Sequence, residues 1–170
     1  LDNDEFRILL RDEFSNNYDL LFSDSYLLQK YIESSLIIKK RFIEADEFDK
    51  GIRNIFNYGH SFGHAIEAAT DFGIPHGIAI GILLPHVLRF NSNHVGNCYQ
   101  TLVRDIGRST NSLADSGDIL ADIITSFLAL AGIPKNLHNC GVSHGILEVL
   151  AEEASEQWTA KFNPRPVQEK

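Results

Sequence analysis

Three histidines stand at a spacing that suits a metal site. His60 and His64 are four residues apart, so a helix would place both imidazoles on one face. His76 follows twelve residues later, between Pro75 and Gly77, which would turn the chain back toward that face. Neutral imidazole nitrogens bind zinc, iron and related divalent cations. The spacing therefore predicts a site where three rings approach one divalent cation.

Further polar residues extend the stripe that carries two of these histidines. On a helix from about residue 53 to residue 70, five polar residues would fall on one continuous face: Arg53, Asn57, His60, His64 and Glu67. Apolar residues flank this stripe, which favours a site; the alternative is the polar outer face of a surface helix. Gly59 and Gly63 lie in the same stretch, where each costs about 1 kcal/mol relative to Ala. They indicate that another backbone or a ligand comes close.

Two lysines upstream are candidates for the same cleft. Lys39 and Lys40 end a predicted helix, and one of them would point toward the histidines. Lysines in isolation are mostly solvated, with their stems covering apolar surface. Their importance here depends on the neighbouring stripe.

The elements that must position these residues are helices. Apolar residues recur at helical spacing in seven segments, at about 6–14, 26–43, 53–70, 77–91, 98–106, 117–131 and 143–162. Ser143 is a candidate N-cap for the last of them. No stretch alternates for long enough to predict a strand. We expect an all-α, multi-helix fold, with residues 1–170 forming a single helical domain.

Composition excludes several classes of function. The chain has 170 residues, enough for one domain with a core, and 44% of them are hydrophobic. A formal net charge of −8 argues against a broad nucleic-acid surface, which needs clustered Lys and Arg. No apolar run reaches the length of a membrane span, and we expect no secretory signal. A cytoplasmic protein with a small anionic substrate is compatible with these features.

The motif from Arg53 to Glu67, RNIFNYGHSFGHAIE, closely resembles the signature of 3-dehydroquinate synthases and related sugar phosphate cyclases. Lys39, the acidic residues at 46–49 and the gap from His64 to His76 are similar in order and spacing. From Pro75 onward, PHGIAIGILLPHVLRFN, GIPKNL and NPRP resemble the iron-containing alcohol dehydrogenases, a sister family. The resemblance covers most of the chain.

The resemblance implies a role for six residues. His60 and His76 would bind a divalent metal (Zn, Co or Fe), and His64 would be a catalytic histidine beside it. The substrate's phosphate, carboxylate or hydroxyls would be held by Lys39, Arg53 and Asn57. Both families add an N-terminal nucleotide-binding domain, which supplies the NAD site and an acidic metal ligand. By this resemblance the chain is the C-terminal helical domain of a two-domain enzyme, with a homodimer as a possible assembly.

Departures from the cyclase pattern keep three functions open. Where the cyclases have HGEA, this chain has His76-Gly77-Ile78-Ala79, and the Asp-Lys-Lys segment near the end of dehydroquinate synthases is missing. The leading hypothesis is a lyase that cyclises a phosphorylated sugar acid with elimination of phosphate. The first alternative is an NAD(P)-dependent alcohol dehydrogenase containing iron or zinc. The second is a non-catalytic helical metal-binding domain.

Overall fold

The computed structural model describes residues 23–48, 50–51, 53, 57–58, 60–69, 73–95 and 97–167. All regular structure in these ranges is helical, which confirms the all-α prediction. The α-helices are α1 Ser25–Ala45, α2 His60–Ala69, α3 His76–Asn91, α4 Cys98–Asp105, α5 Leu113–Leu130 and α6 Leu147–Glu156. Short 3-10 helices lie at His138–Cys140, His144–Ile146 and Trp158–Phe162. The helix predicted at 6–14 lies outside the described residues.

Helix α1 confirms the helix predicted at 26–43, and hydrogen bonds mark both of its ends. The Asp24 carboxylate accepts the backbone N–H groups of Tyr26 and Leu27, at 2.9 and 3.1 Å. These bonds satisfy donors that the first turn of a helix leaves free. At the other end, the N–H of Asp46 donates to the carbonyl of Phe42. The helix thus carries Lys39 near its C-terminal end.

The core lies around α3. This helix makes its most extensive contacts with α5 and also packs against α2, which in turn packs on α6. One group of buried residues joins α2, α3 and α6 through Ile66, Ala79 and Leu150. A second joins α3 to α5 through Leu88 and Ala121. None of the described helices is both long and apolar enough to cross a membrane.

Two glycines allow helices to approach closely. A Cβ atom at Gly63 would lie 2.7 Å from Cγ1 of Ile80, so α2 and α3 require a residue without a side chain at this point. A Cβ atom at Gly117 would lie 2.5 Å from that of Ser92, where α5 meets the end of α3. The predicted close approach is therefore confirmed at Gly63, and Gly59 lies outside the described residues.

A buried hydrogen-bond network ties the C-terminal segment to α3. Asn91 is fully buried, and its Nδ2 donates to the Tyr58 hydroxyl at 2.9 Å and to Asn163 Oδ1 at 2.8 Å. In return, Asn163 Nδ2 and the backbone N–H of Arg165 donate to Asn91 Oδ1, at 2.8 and 3.2 Å. The Tyr58 hydroxyl also bonds the hydroxyl of Tyr99. We call these five residues the Asn91 network.

The helix predicted to carry the polar stripe begins later than expected. Helix α2 starts at His60, whereas Arg53 and Asn57 lie in 3-10 turns before it. The sequence in between is rich in asparagine and also holds a glycine, residues that weaken a helix. The prediction of one five-residue face was therefore wrong: only His60, His64 and Glu67 lie on α2.

The single helix predicted at 143–162 was also wrong. Helix α6 is shorter and has a 3-10 helix on either side, because the extended backbone of Gln157 interrupts the helical path. Ser143 precedes the first of these 3-10 helices, but its side chain makes no capping hydrogen bond. Helix α5 starts earlier than predicted, at Leu113, because the Ser112 side chain caps it.

Candidate metal and substrate site

The imidazoles of His60, His64 and His76 form a triangle. His60 and His64 lie one turn apart on α2, with ring centroids 5.6 Å apart. His76 is the first residue of α3, and its ring centroid lies 5.3 Å from that of His60 and 5.4 Å from that of His64. Pro75 starts α3, since its carbonyl accepts the N–H of Ala79 at 3.1 Å. The prediction that the three rings approach one another is confirmed.

Part of this triangle offers ligand atoms that lie close enough together for a divalent cation. Among the described residues, one ring nitrogen each of His64 and His76 lies within such a group, together with a Glu67 oxygen, whereas His60 is not part of it. Imidazole nitrogens beside a carboxylate are also donors that zinc, cobalt and iron accept. The residues therefore fit a metal. The roles of His60 and His76 as ligands, and of His64 as the catalytic residue, stay predictions.

Glu67 supplies the carboxylate beside these rings. Its Oε1 lies 2.8 Å from Nδ1 of His76, and its Oε2 lies 3.4 Å from Nδ1 of His64. Among the described residues, His64, Glu67 and His76 form a group whose potential ligand atoms all lie within 4.8 Å of one another. The hydrogen bond from His76 is the largest cause that holds the pKa of the Glu67 carboxyl below its usual value. Helical spacing placed Glu67 on the predicted stripe without a role, although its position three residues after His64 was the available signal.

The electrostatic setting of His60 favours its neutral form. Loss of solvent around this half-buried ring is the main cause that lowers the pKa of His60, and the charges of His64, His76 and Lys39 act in the same direction. The contact between His60 Nδ1 and the carbonyl of Tyr58, at 3.4 Å, opposes this shift. Only a neutral imidazole offers the lone pair that a metal needs. His60 is therefore suited to ligation at neutral pH.

The two candidate lysines differ in their surroundings. Lys39 lies within electrostatic reach of His60, because its charge contributes to the lowered pKa of that residue. Lys40 instead approaches Glu44 of its own helix, with 3.6 Å between Nζ and Oε1. Of the two, Lys39 is the one on the side of the imidazole triangle. Its role in binding substrate stays a prediction.

Arg53 is held by the loop that follows α1. The Asp46 carboxylate accepts the backbone N–H groups of Lys50 and Arg53, at 2.9 and 3.1 Å. The bond from Lys50 is the largest cause that lowers the pKa of Asp46. The Arg53 guanidinium donates through Nη1 to the carbonyl of Glu47 at 2.9 Å. The acidic stretch thus forms a turn that orients Arg53, while the substrate-binding roles of Arg53 and half-buried Asn57 stay predictions.

The other four histidines do not take part in the triangle. His86, His138 and His144 are exposed and line a separate, largely apolar cavity of about 290 Å³. His94 is exposed in the turn after α3. None of these four histidines was predicted to be a site residue.

Comparison with known protein families shows what kind of domain this is. Residues 1–114 match the family described as 3-dehydroquinate synthase C-terminal. The chain belongs to this family. The matched region includes α1, α2 and α3, and with them all six predicted site residues, from Lys39 to His76. Membership confirms the resemblance drawn from the sequence motifs.

Individual relatives of this 3-dehydroquinate synthase family domain include two classes of enzyme. The 3-dehydroquinate synthase of Sulfurisphaera tokodaii is 35% identical over 99 residues, covering 57% of this chain and 28% of that protein. The 3-dehydroquinate synthase of Chlamydia abortus is 37% identical over 71 residues, covering 41% and 19%. The 1,3-propanediol dehydrogenase of Citrobacter freundii is 31% identical over 115 residues, covering 66% and 29%. The chain therefore spans less than a third of the length of these relatives.

Proposed function

We propose that this chain is the metal- and substrate-binding domain of a 3-dehydroquinate-synthase-like, NAD- and metal-dependent lyase. The full protein would cyclise a phosphorylated sugar acid with elimination of phosphate. The observation that carries this proposal is the triangle of imidazoles, with Glu67 beside it, in a member of the 3-dehydroquinate synthase C-terminal family. Relatives named 3-dehydroquinate synthase support it.

The chain's own residues account for part of a metal site. His60 and His76 are the proposed ligands, and a further acidic ligand comes from a nucleotide-binding domain of the same protein. Bound here, a zinc, cobalt or iron ion would act as a Lewis acid toward the substrate's alcohol and carbonyl oxygens. The lowered pKa of His60 favours the neutral ring nitrogen that such an ion requires.

The neighbouring side chains supply proton handling and anion binding. His64 lies beside both proposed ligands and would exchange protons with substrate hydroxyl groups. Lys39 and Arg53 would neutralise the phosphate and carboxylate. Arg53 suits this task because the guanidinium has five N–H donors. Asn57 would hydrogen-bond a hydroxyl group.

NAD is assigned to a domain other than this one. In the described ranges no strand leads into a glycine-rich turn and a helix, the arrangement that cradles a pyrophosphate. We therefore place the dinucleotide in the N-terminal nucleotide-binding domain that the family resemblance implies. NAD would supply the hydride chemistry there.

The test is turnover of the full protein with a phosphorylated sugar acid. Release of inorganic phosphate without net formation of NADH supports the lyase. Lys39→Ala should raise the KM for this anionic substrate, while Lys40→Ala serves as the matched control because Lys40 is directed toward Glu44. Equal effects of the two substitutions, or no phosphate release, would contradict the proposal.

An NAD(P)-dependent alcohol dehydrogenase is the second candidate. It is supported by the 1,3-propanediol dehydrogenase relative, whose alignment extends over 66% of this chain. Net NADH formation from a small alcohol, without phosphate release, favours it. A non-catalytic metal-binding domain is the third candidate. Stoichiometric, tight zinc binding by a protein that turns over neither substrate would favour that outcome.

A further inference from the structure

The carboxylate of Glu67 reaches two imidazoles that come from different helices. Its Oε1 lies 2.8 Å from Nδ1 of His76, at the start of α3, which is a hydrogen-bond distance. Its Oε2 lies 3.4 Å from Nδ1 of His64, on its own helix α2. Each carboxylate oxygen therefore lies next to a different ring, and in both rings the nearest nitrogen is Nδ1.

The shorter contact fixes where the proton of the His76 ring lies. A carboxylate can only accept hydrogen bonds, so the nitrogen that faces it must carry the proton. A neutral imidazole with its proton on Nδ1 has its lone pair on Nε2. The hydrogen bond thus selects the tautomer in which Nε2 of His76 is the atom free to bind a cation or accept a proton.

Glu67 can hold the His76 ring in place because its own backbone is fixed in helix α2. Glu67 lies three residues after His64 on α2, and its side chain is one-third exposed. The close approach of α2 and α3 at Gly63 brings His76 within its reach. A carboxylate that accepts from a ligand histidine typically changes metal affinity 10–100-fold when removed.

We propose that Glu67 is a positioning residue: it holds His76 as the Nδ1–H tautomer and so keeps Nε2 of His76 free to bind a cation. This inference rests on the proposed function only in taking a divalent cation as the occupant. The rival role is direct ligation, since ligand atoms around one ion also lie about 3 Å apart. The two roles differ in which ring nitrogen carries a proton.

The decisive experiment is nitrogen-15 NMR of the histidine rings in the full chain, without metal and at neutral pH. We expect His76 to have its proton on Nδ1. Glu67→Ala should move the His76 proton mainly to Nε2, the tautomer that a solvated histidine side chain prefers. Glu67→Gln should retain the Nδ1–H form in part, since its amide oxygen still accepts. Glu152→Gln, an exposed glutamate on α6, is the matched control and should change nothing.

Binding of Co²⁺ to the same variants gives a second readout. We expect a 10–100-fold weaker affinity for Glu67→Ala, a smaller loss for Glu67→Gln and none for Glu152→Gln. An unchanged His76 tautomer in Glu67→Ala overturns the proposal. So does a loss for Glu67→Gln as large as that for His76→Ala, which would indicate direct ligation. Because the tautomer is read without metal or substrate, its outcome is independent of whether the lyase activity is found.

Discussion

Two residues apart in the sequence, Tyr58 and His60 belong to polar clusters with opposite properties. Tyr58 is part of the Asn91 network, where Asn91 is fully buried and both ends of its amide are bonded to protein groups. His60 is part of the imidazole triangle, where the side chains of His64 and His76 are 35% and 44% exposed. The first cluster satisfies its polar groups internally. The second keeps three basic rings together within reach of solvent.

The difference separates a stabilising cluster from a binding cluster. Buried polar groups that are fully paired rigidify a fold, and removing one member leaves the others unsatisfied. Imidazoles that crowd together at a partly exposed place contribute little to stability, so their arrangement is better explained by a ligand. Substitutions in the two clusters should therefore affect stability very differently.

The largest loss of stability is expected for Asn91→Ala. It removes one hydrogen-bond partner each from the Tyr58 hydroxyl, the Asn163 amide and the backbone N–H of Arg165, and it leaves a cavity at a fully buried position. We expect the free energy of unfolding to fall by about 2–4 kcal/mol. Urea unfolding measures it, with the exposed Asn93→Ala as control. A loss no greater than that of the control would mean that the network is not a stabilising cluster.

An intermediate loss is expected for Gly63→Ala, at the contact between α2 and α3. The new methyl group would meet Ile80 at 2.7 Å, and overpacking of this kind costs about 1–3 kcal/mol. In an Ile80→Ala background the clash is removed, and the better helix propensity of Ala should make Gly63→Ala neutral or stabilising. Thermal or urea unfolding of the unsubstituted protein, the two single variants and the double variant gives the coupling free energy between the two positions. Equal costs in both backgrounds would show that the contact does not limit the packing of α2 on α3.

A smaller, pH-dependent loss is expected from His60. Its pKa is lowered in the folded state, so as the pH falls through about 6.5 the unfolded chain takes up this proton more readily. Stability should therefore decrease on acidification in this range, and His60→Gln should reduce the decrease. The lowered pKa of Glu67 acts with the same sign, but only below about pH 4.5. The free energies of unfolding of the unsubstituted protein and of His60→Gln, each measured at pH 7.5 and pH 5.5, test this expectation. An identical decrease in the two proteins would mean that groups other than His60 cause it.

The smallest change is expected for His64→Gln. The side chain is one-third exposed, and its ring contacts are with other solvent-accessible groups. We expect a change in the free energy of unfolding within about 0.5 kcal/mol, together with a loss of turnover in the full enzyme. A destabilisation close to that of Asn91→Ala would remove the distinction between the two clusters.

The sequence predicted the features that depend on local spacing. The apolar periodicity predicted α1, α3 and α4 to within a few residues, and the spacing of the histidines predicted that their rings would meet. The start of α2 was missed because helix-weakening residues before His60 outweigh the polar periodicity. The break at Gln157 divides a segment whose apolar pattern continues through it.

The features that could not be predicted depend on contacts between distant segments. Glu67 gains its role from His76, which lies on another helix, and no local pattern reports that contact. The Asn91 network is a stronger case, because Asn91 and Asn163 are 72 residues apart in the chain. Only the packing of α3 against the C-terminal segment brings the two amides together.

The reciprocal amide pair of Asn91 and Asn163 has a consequence for how this domain tolerates shortening. The C-terminal residues 163–165 are anchored to the side chain of Asn91, which also anchors Tyr58, two residues before His60. Trimming the chain ahead of residue 163 would therefore loosen the backbone that leads into the imidazole triangle, far away in sequence. Residues 163–165 thus help to hold in place the backbone that precedes α2.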